Sequence, residues 1–254
     1  ICRVEGMDLK EERLIGGDPQ SHWYFISKGR AISSLIGEAH FSRVLDVGAG
    51  SGVFSRMLTA EGVAERATCV DPNYTEAQMR TASTARISYV RSVAETDASL
   101  ILMIDVIEHV DDDVALVADY ARMAPEGARF VISVPAFNFL WSSHDEFLDH
   151  RRRYTLETLE RTVADAGLQP LSLRYFFGAL FPAVAALRFA DRALKGDRQA
   201  SASALKAAPG WLNRSLVAIH DLERAALFPF NRLAGVTAFC LAEKPALAET
   251  SRAA

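Results

Sequence analysis

The chain has 254 residues, half of them hydrophobic and 24% charged, with 28 basic against 32 acidic side chains for a formal net charge of −4. At roughly 100–200 residues per domain this allows one large domain or one domain carrying an insertion. The composition excludes a wholly disordered or collagen-like chain. The mild acidity gives no global reason to expect nucleic-acid binding. Three widely spaced cysteines, Cys2, Cys69 and Cys240, are neither a disulfide framework nor a zinc signature. With no signal-peptide shape in the first residues, a reducing, cytoplasmic setting is expected.

Residues 1–20 are polar and close on Gly16, Gly17 and Pro19, which reads as a mobile arm. His22 to Ile36 reads as a helix, with Trp23, Tyr24, Phe25, Ile26, Ile32 and Leu35 apolar and Lys28 and Arg30 interrupting them. Arg43–Val47 is a short apolar strand running into a glycine cluster. A helix follows with Val53, Phe54, Met57 and Leu58 on one side. Ala67–Val70 is a second strand ending at Asp71-Pro72, and Ile87–Val90 a third. Leu100–Ile104 is a fourth, ending at Asp105. Asp111, Asp112 and Asp113 suit the electropositive start of a helix, with Val114, Val117 and Tyr120 facing inward. Pro125 and Gly127 end that helix, and Arg129–Val134 is a fifth strand. Thr155 can cap a helix reaching to about Ala166, which Gly167 stops. Leu171–Tyr175 and Val236–Ala242 offer two more strands.

Nearly all-apolar strands alternating with helices mean a parallel sheet covered on both faces. Residues 42–135 are therefore predicted as a doubly wound α/β core, continued to 175 by the next helix and strand. Residues 1–41 are the arm and a lid helix. The stretch 176–234 is too long for a loop and reads as a helical insertion before the last strand, and 235–254 as that strand and a tail. Tyr175–Leu187 is uncharged and mostly apolar. As a helix it would be about 20 Å long, short of a membrane's ~30 Å hydrocarbon core. Residues 195–210 read as mobile, Trp211–Leu227 as an amphipathic helix with Leu212, Leu216, Ile219 and Leu222 on one face, and the tail from Pro245 as disordered.

The segment V-L-D-V-G-A-G-S-G at 44–52 places a glycine turn between a strand and a helix. Glycine permits positive φ and close approach of backbone to ligand, and the helix start presents free N–H groups. Asp71, at the end of the next strand, is placed to accept hydrogen bonds from a ribose diol. A dinucleotide fingerprint needs its third glycine one residue later than Gly52. Asp46 within the first strand would add negative charge beside a pyrophosphate, but it suits a cationic ligand.

Four segments, V-L-D-V-G-A-G-S-G at 44–52, V-D-P at 70–72, D-V-I-E-H-V at 105–110 and V-I-S-V-P-A at 131–136, resemble the class I S-adenosylmethionine-dependent methyltransferases of the small-molecule, type 11/12-like group. The resemblance covers about 42–175, with 235–243 as the last strand. It implies a Rossmann-like, seven-stranded, mostly parallel sheet, its last strand antiparallel between the fifth and sixth. It implies S-adenosyl-L-methionine as cofactor and S-adenosyl-L-homocysteine as product. Asp46, Gly48, Ala49, Gly50 and Gly52 would surround the methionine part. Asp71 would bind the ribose, Pro72 would lie near the adenine, and Glu95 would contact the adenine amine. Asp105, Val106 and the Glu108-His109 pair would lie near the transferred methyl.

Methyl transfer to a hydroxyl needs an aligned nucleophile and a base for its proton. Histidine suits that task. His109 follows the fourth strand. The run W-S-S-H-D-E-F-L-D-H-R-R-R-Y-T at 141–155 follows the fifth and offers His144, with Asp145 or Asp149 to orient it. Arg151, Arg152 and Arg153 either hold an acceptor carboxylate or phosphate or pair with Asp145, Glu146 and Asp149. A subset of the same group is similar in this stretch and in an aromatic helix like His22-Trp23-Tyr24-Phe25, which names no acceptor. Expected acceptor-binding residues are Trp23, Tyr24, Trp141, His150, Arg152, Arg153, Tyr154 and Phe177. A metal reading of His144, Asp145 and His150 lacks a further ligand, so no metal is expected.

The predicted function is methylation, preferably of oxygen, on a small-molecule or lipid- or sugar-linked acceptor. A nicotinamide-dependent oxidoreductase and a non-catalytic binding protein are the alternatives. No nucleic-acid partner is expected, and 176–187 is open to peripheral membrane contact or a homodimer interface.

Overall fold

Seven strands form one sheet in the order β3-β2-β1-β4-β5-β7-β6: β1 Phe41–Val47, β2 Ala64–Val70, β3 Ile87–Val90, β4 Leu100–Ile104, β5 Arg129–Pro135, β6 Gln169–Phe176 and β7 Thr237–Glu243. The structure is a computed structural model, describing residues 18–194 and 209–246. Strands β1 to β5 run parallel, and β7 lies antiparallel between β5 and β6. This is the Rossmann-like arrangement that the resemblance implied. The strand order reverses between β1 and β4, where such sheets open a crevice outside the carboxyl ends of the strands.

The eight helices of the described residues are α1 Trp23–Ile36, α2 Val53–Ala60, α3 Glu76–Ala82, α4 Asp113–Met123, α5 Ser143–Phe147, α6 Leu156–Asp165, α7 Phe181–Leu194 and α8 Gly210–Ala226. Alternation along the strands divides the core. Leu100, Leu102 and Ile104 of β4 face a cluster with Phe25 and Ile32 of α1 and Phe54 and Leu58 of α2. Ile101 and Met103 face the opposite cluster, with Val117 of α4 and Leu159 and Val163 of α6. The expected cap at Thr155 is present as a capping box, and Gly167 turns the chain with φ 85°.

The arm expected over 1–20 falls outside the described residues as far as 17. Its end, Pro19–Ser21, is a 3-10 turn whose Gln20 N–H is capped by the Asp18 side chain. The segment expected to be mobile at 195–210 is described only from 209, and the tail from Pro245 only to 246.

Three elements differ from the sequence reading. Helix α3, with a Thr75/Gln78 capping box, buries no side chain and so leaves little hydrophobic period to read. The run 141–155 contains α5. The apolar run from Tyr175 to Leu187 is not one helix. Tyr175 and Phe176 end β6, paired with Ala238 and Thr237, and the chain turns at Phe177 with φ 59°. Helix α7 begins only at Phe181, where Pro182 in the first turn costs no hydrogen bond. Phe176 and Phe177 are therefore core residues, not membrane-facing ones. No helix among the described residues is long and apolar enough to cross a membrane.

Helix α8 lies along α1. Asn213 Oδ1 accepts the Trp23 N–H (2.8 Å), Asn213 Nδ2 donates to the Ser21 carbonyl (3.0 Å), and Arg30 pairs with Asp221. The insertion thus holds the aromatic start of α1 over the carboxyl edge of the sheet.

Candidate active site

The glycine turn sits at the strand-order reversal. Gly48, Gly50 and Gly52 have φ of 68°, 53° and 72°. The Gly48 N–H donates to the Val70 carbonyl (2.8 Å), fastening the turn to β2. A Cβ on Gly48 would lie 2.7 Å from Val106 Cγ2, so a side chain there would break the close approach of the β1 and β4 ends. Asp46 is buried beneath the turn, and Ser55 Oγ donates to its Oδ2 (2.7 Å). Burial pushes the Asp46 carboxyl up to about 6. A positive charge brought beside it favours the ionised form, whereas a pyrophosphate there would oppose it.

Asp71 follows β2. Its Oδ1 accepts the Asn73 backbone N–H (2.8 Å) and Asn73 Nδ2 (3.0 Å). Tyr74 Oη donates to the Gly50 carbonyl (2.6 Å), tying this turn to the glycine turn. Ala49 is buried, Pro72 is exposed beside Asp71, and Glu95 is exposed in the segment after β3. A turn of positive-φ glycines, the buried Asp46 carboxyl and the Asp71 carboxyl just after the next strand are compatible with a cationic, ribose-bearing cofactor.

Asp105 follows β4 with φ 54°. Its Oδ2 is ion-paired with Lys28 and accepts from Tyr24 Oη (3.0 Å), and Ser133 Oγ donates to Oδ1 (3.1 Å). Lys28, which the sequence offers only as an interruption of an apolar face, is 0% exposed. Asp105 is half-buried, and removing it would leave the buried Lys28 charge uncompensated, so the pair fixes α1 across the end of β4.

Beside Asp105 lies a cavity of about 280 Å³. Trp23 and Tyr24 of α1 line it with Glu108 and His109 after β4, His144 and His150 after β5, and Phe177 after β6. Tyr24 stacks on Phe177 with centroids 5.5 Å apart. Of the four non-glycine residues of positive φ among the described ones, Asp105, Phe137 and Phe177 follow β4, β5 and β6, and Asp149 follows α5. Each such residue costs about 1–3 kcal/mol, and strain of this kind clusters at functional sites. Burial, with His150 alongside, pushes the His109 imidazole down to about 3, which makes it a weak base at neutral pH.

The 141–155 segment corrects several expectations. Asp145 is fully buried and orients His150 rather than His144, with its Oδ1 2.8 Å from His150 Nδ1. Arg153 forks onto the same carboxylate (2.6 and 3.0 Å), and its remaining terminal nitrogen donates to the Ala136 carbonyl (3.0 Å). It reaches the cavity with three of its N–H donors already engaged. Arg152 does not reach it. It pairs with Asp113 (3.1 Å) and donates to the carbonyls of Val110 (3.0 Å) and Asp111 (2.6 Å). Tyr154 is buried, donating from Oη to Asp113 Oδ2 (2.6 Å). Trp141 closes the 3-10 turn Asn138–Leu140 and is not part of the cavity wall. The physical reason is that Asp113 and Asp145 are themselves largely buried, and Arg152 and Arg153 neutralise them. Of the expected acceptor residues, Trp23, Tyr24, His150, Arg153 and Phe177 come together.

Residues 23–173 match a family model described as "Methyltransferase domain". No curated protein matches the chain. Among solved structures, a chain from the complex between the Haloferax volcanii Trm112 methyltransferase activator and a methyltransferase is 16% identical. It superposes with a TM-score of 0.59 over 97% of this chain and 100% of that one. The phosphoethanolamine N-methyltransferase 2 of Haemonchus contortus, solved with S-adenosyl-L-methionine, is 18% identical with a TM-score of 0.54, over 86% of this chain and 52% of that one. A sarcosine dimethylglycine methyltransferase from Galdieria sulphuraria is 13% identical with a TM-score of 0.51, over 87% and 84%. At these identities the likeness speaks for the fold, and the family match, spanning more than half of the chain, speaks for membership. With the glycine cradle, the buried Asp46 and the seven-stranded topology in place, the chain belongs to the class I S-adenosylmethionine-dependent methyltransferases.

Proposed function

We propose that this methyltransferase acts on a hydroxyl oxygen of a small-molecule or lipid- or sugar-linked acceptor seated in the cavity beside Asp105. The observation that supports this is the cavity wall itself. Aromatic and aliphatic side chains surround three imidazoles, His109, His144 and His150, at the carboxyl edge of β4 and β5. S-adenosyl-L-methionine, when bound, supplies a methyl group on a positively charged sulfur. The chain's own residues bind, align and deprotonate. Asp71 takes the ribose hydroxyls, and Asp46 lies under the cationic end. Trp23, Tyr24 and Phe177 hold the acceptor and exclude water, which is most of what an in-line displacement requires. His109 is too weak a base, and His144 on α5 takes the hydroxyl proton.

The test is product analysis with S-adenosyl-L-methionine and panels of phenols, aliphatic alcohols and amines. O-methyl products are expected. His144→Ala should lower kcat by about 10²–10⁴, the usual contribution of a general base, while S-adenosyl-L-homocysteine binding stays unchanged. N-methyl products alone, or full activity in the variant, would contradict the assignment.

A further inference from the structure

Glu108, His109 and His150 stand together against the cavity, with one candidate ligand atom from each within 4.8 Å of the others. Glu108, in the 3-10 turn Ile107–His109 after β4, is fully buried, and the side chains of both histidines are nearly so. Glu108 Oε1 lies 3.8 Å from His109 Nε2, beyond hydrogen-bond length. The two imidazole centroids are 4.6 Å apart. One carboxylate and two imidazoles are the donor set of three-ligand zinc sites and of facial-triad iron sites, which keep a position open for substrate.

His150 carries the second mark of a ligand. Its Nδ1 is held by Asp145 (2.8 Å), which leaves Nε2 to bind. Metal-ligating histidines are almost always anchored this way through the other ring nitrogen. Arg153, forked onto both oxygens of Asp145, fixes that carboxylate in turn. Such an arrangement does more than a buried salt bridge needs, because it fixes the tautomer and ring plane of one particular imidazole.

We infer that Glu108, His109 and His150 bind one divalent transition-metal ion with its open position toward the acceptor cavity. Its role rests on the oxygen-methylation reading. An ion there holds the acceptor hydroxyl and lowers its pKa. The O–H proton passes to His144, the new C–O bond forms as the C–S bond breaks, and the bonding pair stays on sulfur.

The chelator-treated, tag-free chain is titrated by calorimetry with Zn²⁺ and with Co²⁺ alone. One ion per chain is expected, with a cobalt d–d spectrum of nitrogen and oxygen ligands. Glu108→Gln and His150→Gln should each weaken binding by at least about tenfold, and Asp145→Asn by about 10–100-fold. S-adenosyl-L-homocysteine binding checks that each variant is folded. Absence of metal binding, equal binding in the variants, or a thiolate charge-transfer band overturns the site. If the same sample still binds S-adenosyl-L-homocysteine, the methyltransferase reading stands without it. Equal turnover of a hydroxyl acceptor with and without the ion overturns the role.

Discussion

Asp145→Ala is expected to destabilise the fold by about 3–5 kcal/mol, the usual result of removing one partner from a buried ion pair. For a chain of this size that lowers Tm by roughly 6–20 °C. Asp145 is 0% exposed. Its carboxylate accepts from the Ser142 N–H (2.8 Å), from His150 Nδ1 and from two nitrogens of Arg153. Alanine leaves the Arg153 guanidinium buried without its counter-charge, uncaps α5 and frees the His150 ring. The pH dependence has a definite sign. Burial raises the Asp145 carboxyl, but hydrogen bonds from His150 and Arg153 outweigh it and hold the group well below the usual carboxylate range. A depressed carboxyl stabilises the fold above its unfolded-state pKa near 4 and loses that contribution as pH falls. The difference in stability between the two proteins should therefore be full at pH 7 and shrink below pH 4. Chemical denaturation at pH 7 and about one unit below the unfolded-state pKa measures it, and a constant difference would mean that the carboxylate's charge does not stabilise the fold.

Asp71→Ala should weaken S-adenosyl-L-homocysteine binding by about 100-fold or more. Two hydrogen bonds from ribose hydroxyls to an ionised carboxylate contribute about 1.5–3 kcal/mol each, and about 1.4 kcal/mol is a tenfold change in Kd. The carboxylate lies just after β2, where Asn73 holds it and Tyr74 braces its turn against the glycine turn. Calorimetry on both proteins gives the ratio directly. Equal affinities would move the ribose elsewhere.

The sheet and the glycine turn were legible in the sequence because local rules determine them. β1, β3, β4 and β5 are short apolar runs with clear punctuation. Gly48, Gly50 and Gly52 adopt the positive φ that their spacing suggests. The acceptor side was less legible because its contacts join distant positions. Lys28 and Asp105 are 77 residues apart, and Arg152 and Val110 are 42 apart. Hydrophobic period carries no information about such pairs. In the 141–155 run the reactive residue types were visible, but their partners depended on α5. That one turn of helix swings Asp145 toward His150 and Arg153. Tyr154 misled for a related reason: its hydroxyl looks functional in the sequence but serves to satisfy buried Asp113.

The glycine cradle is expected to bind S-adenosyl-L-methionine and its product rather than a dinucleotide. Melting curves of the full chain with S-adenosyl-L-homocysteine and, separately, with NAD test it most directly. A ligand at about 100 times its Kd stabilises by ~2.7 kcal/mol, which at this size is a rise of roughly 5–11 °C. That rise is expected with S-adenosyl-L-homocysteine and no rise with NAD. A rise with NAD alone would contradict the account.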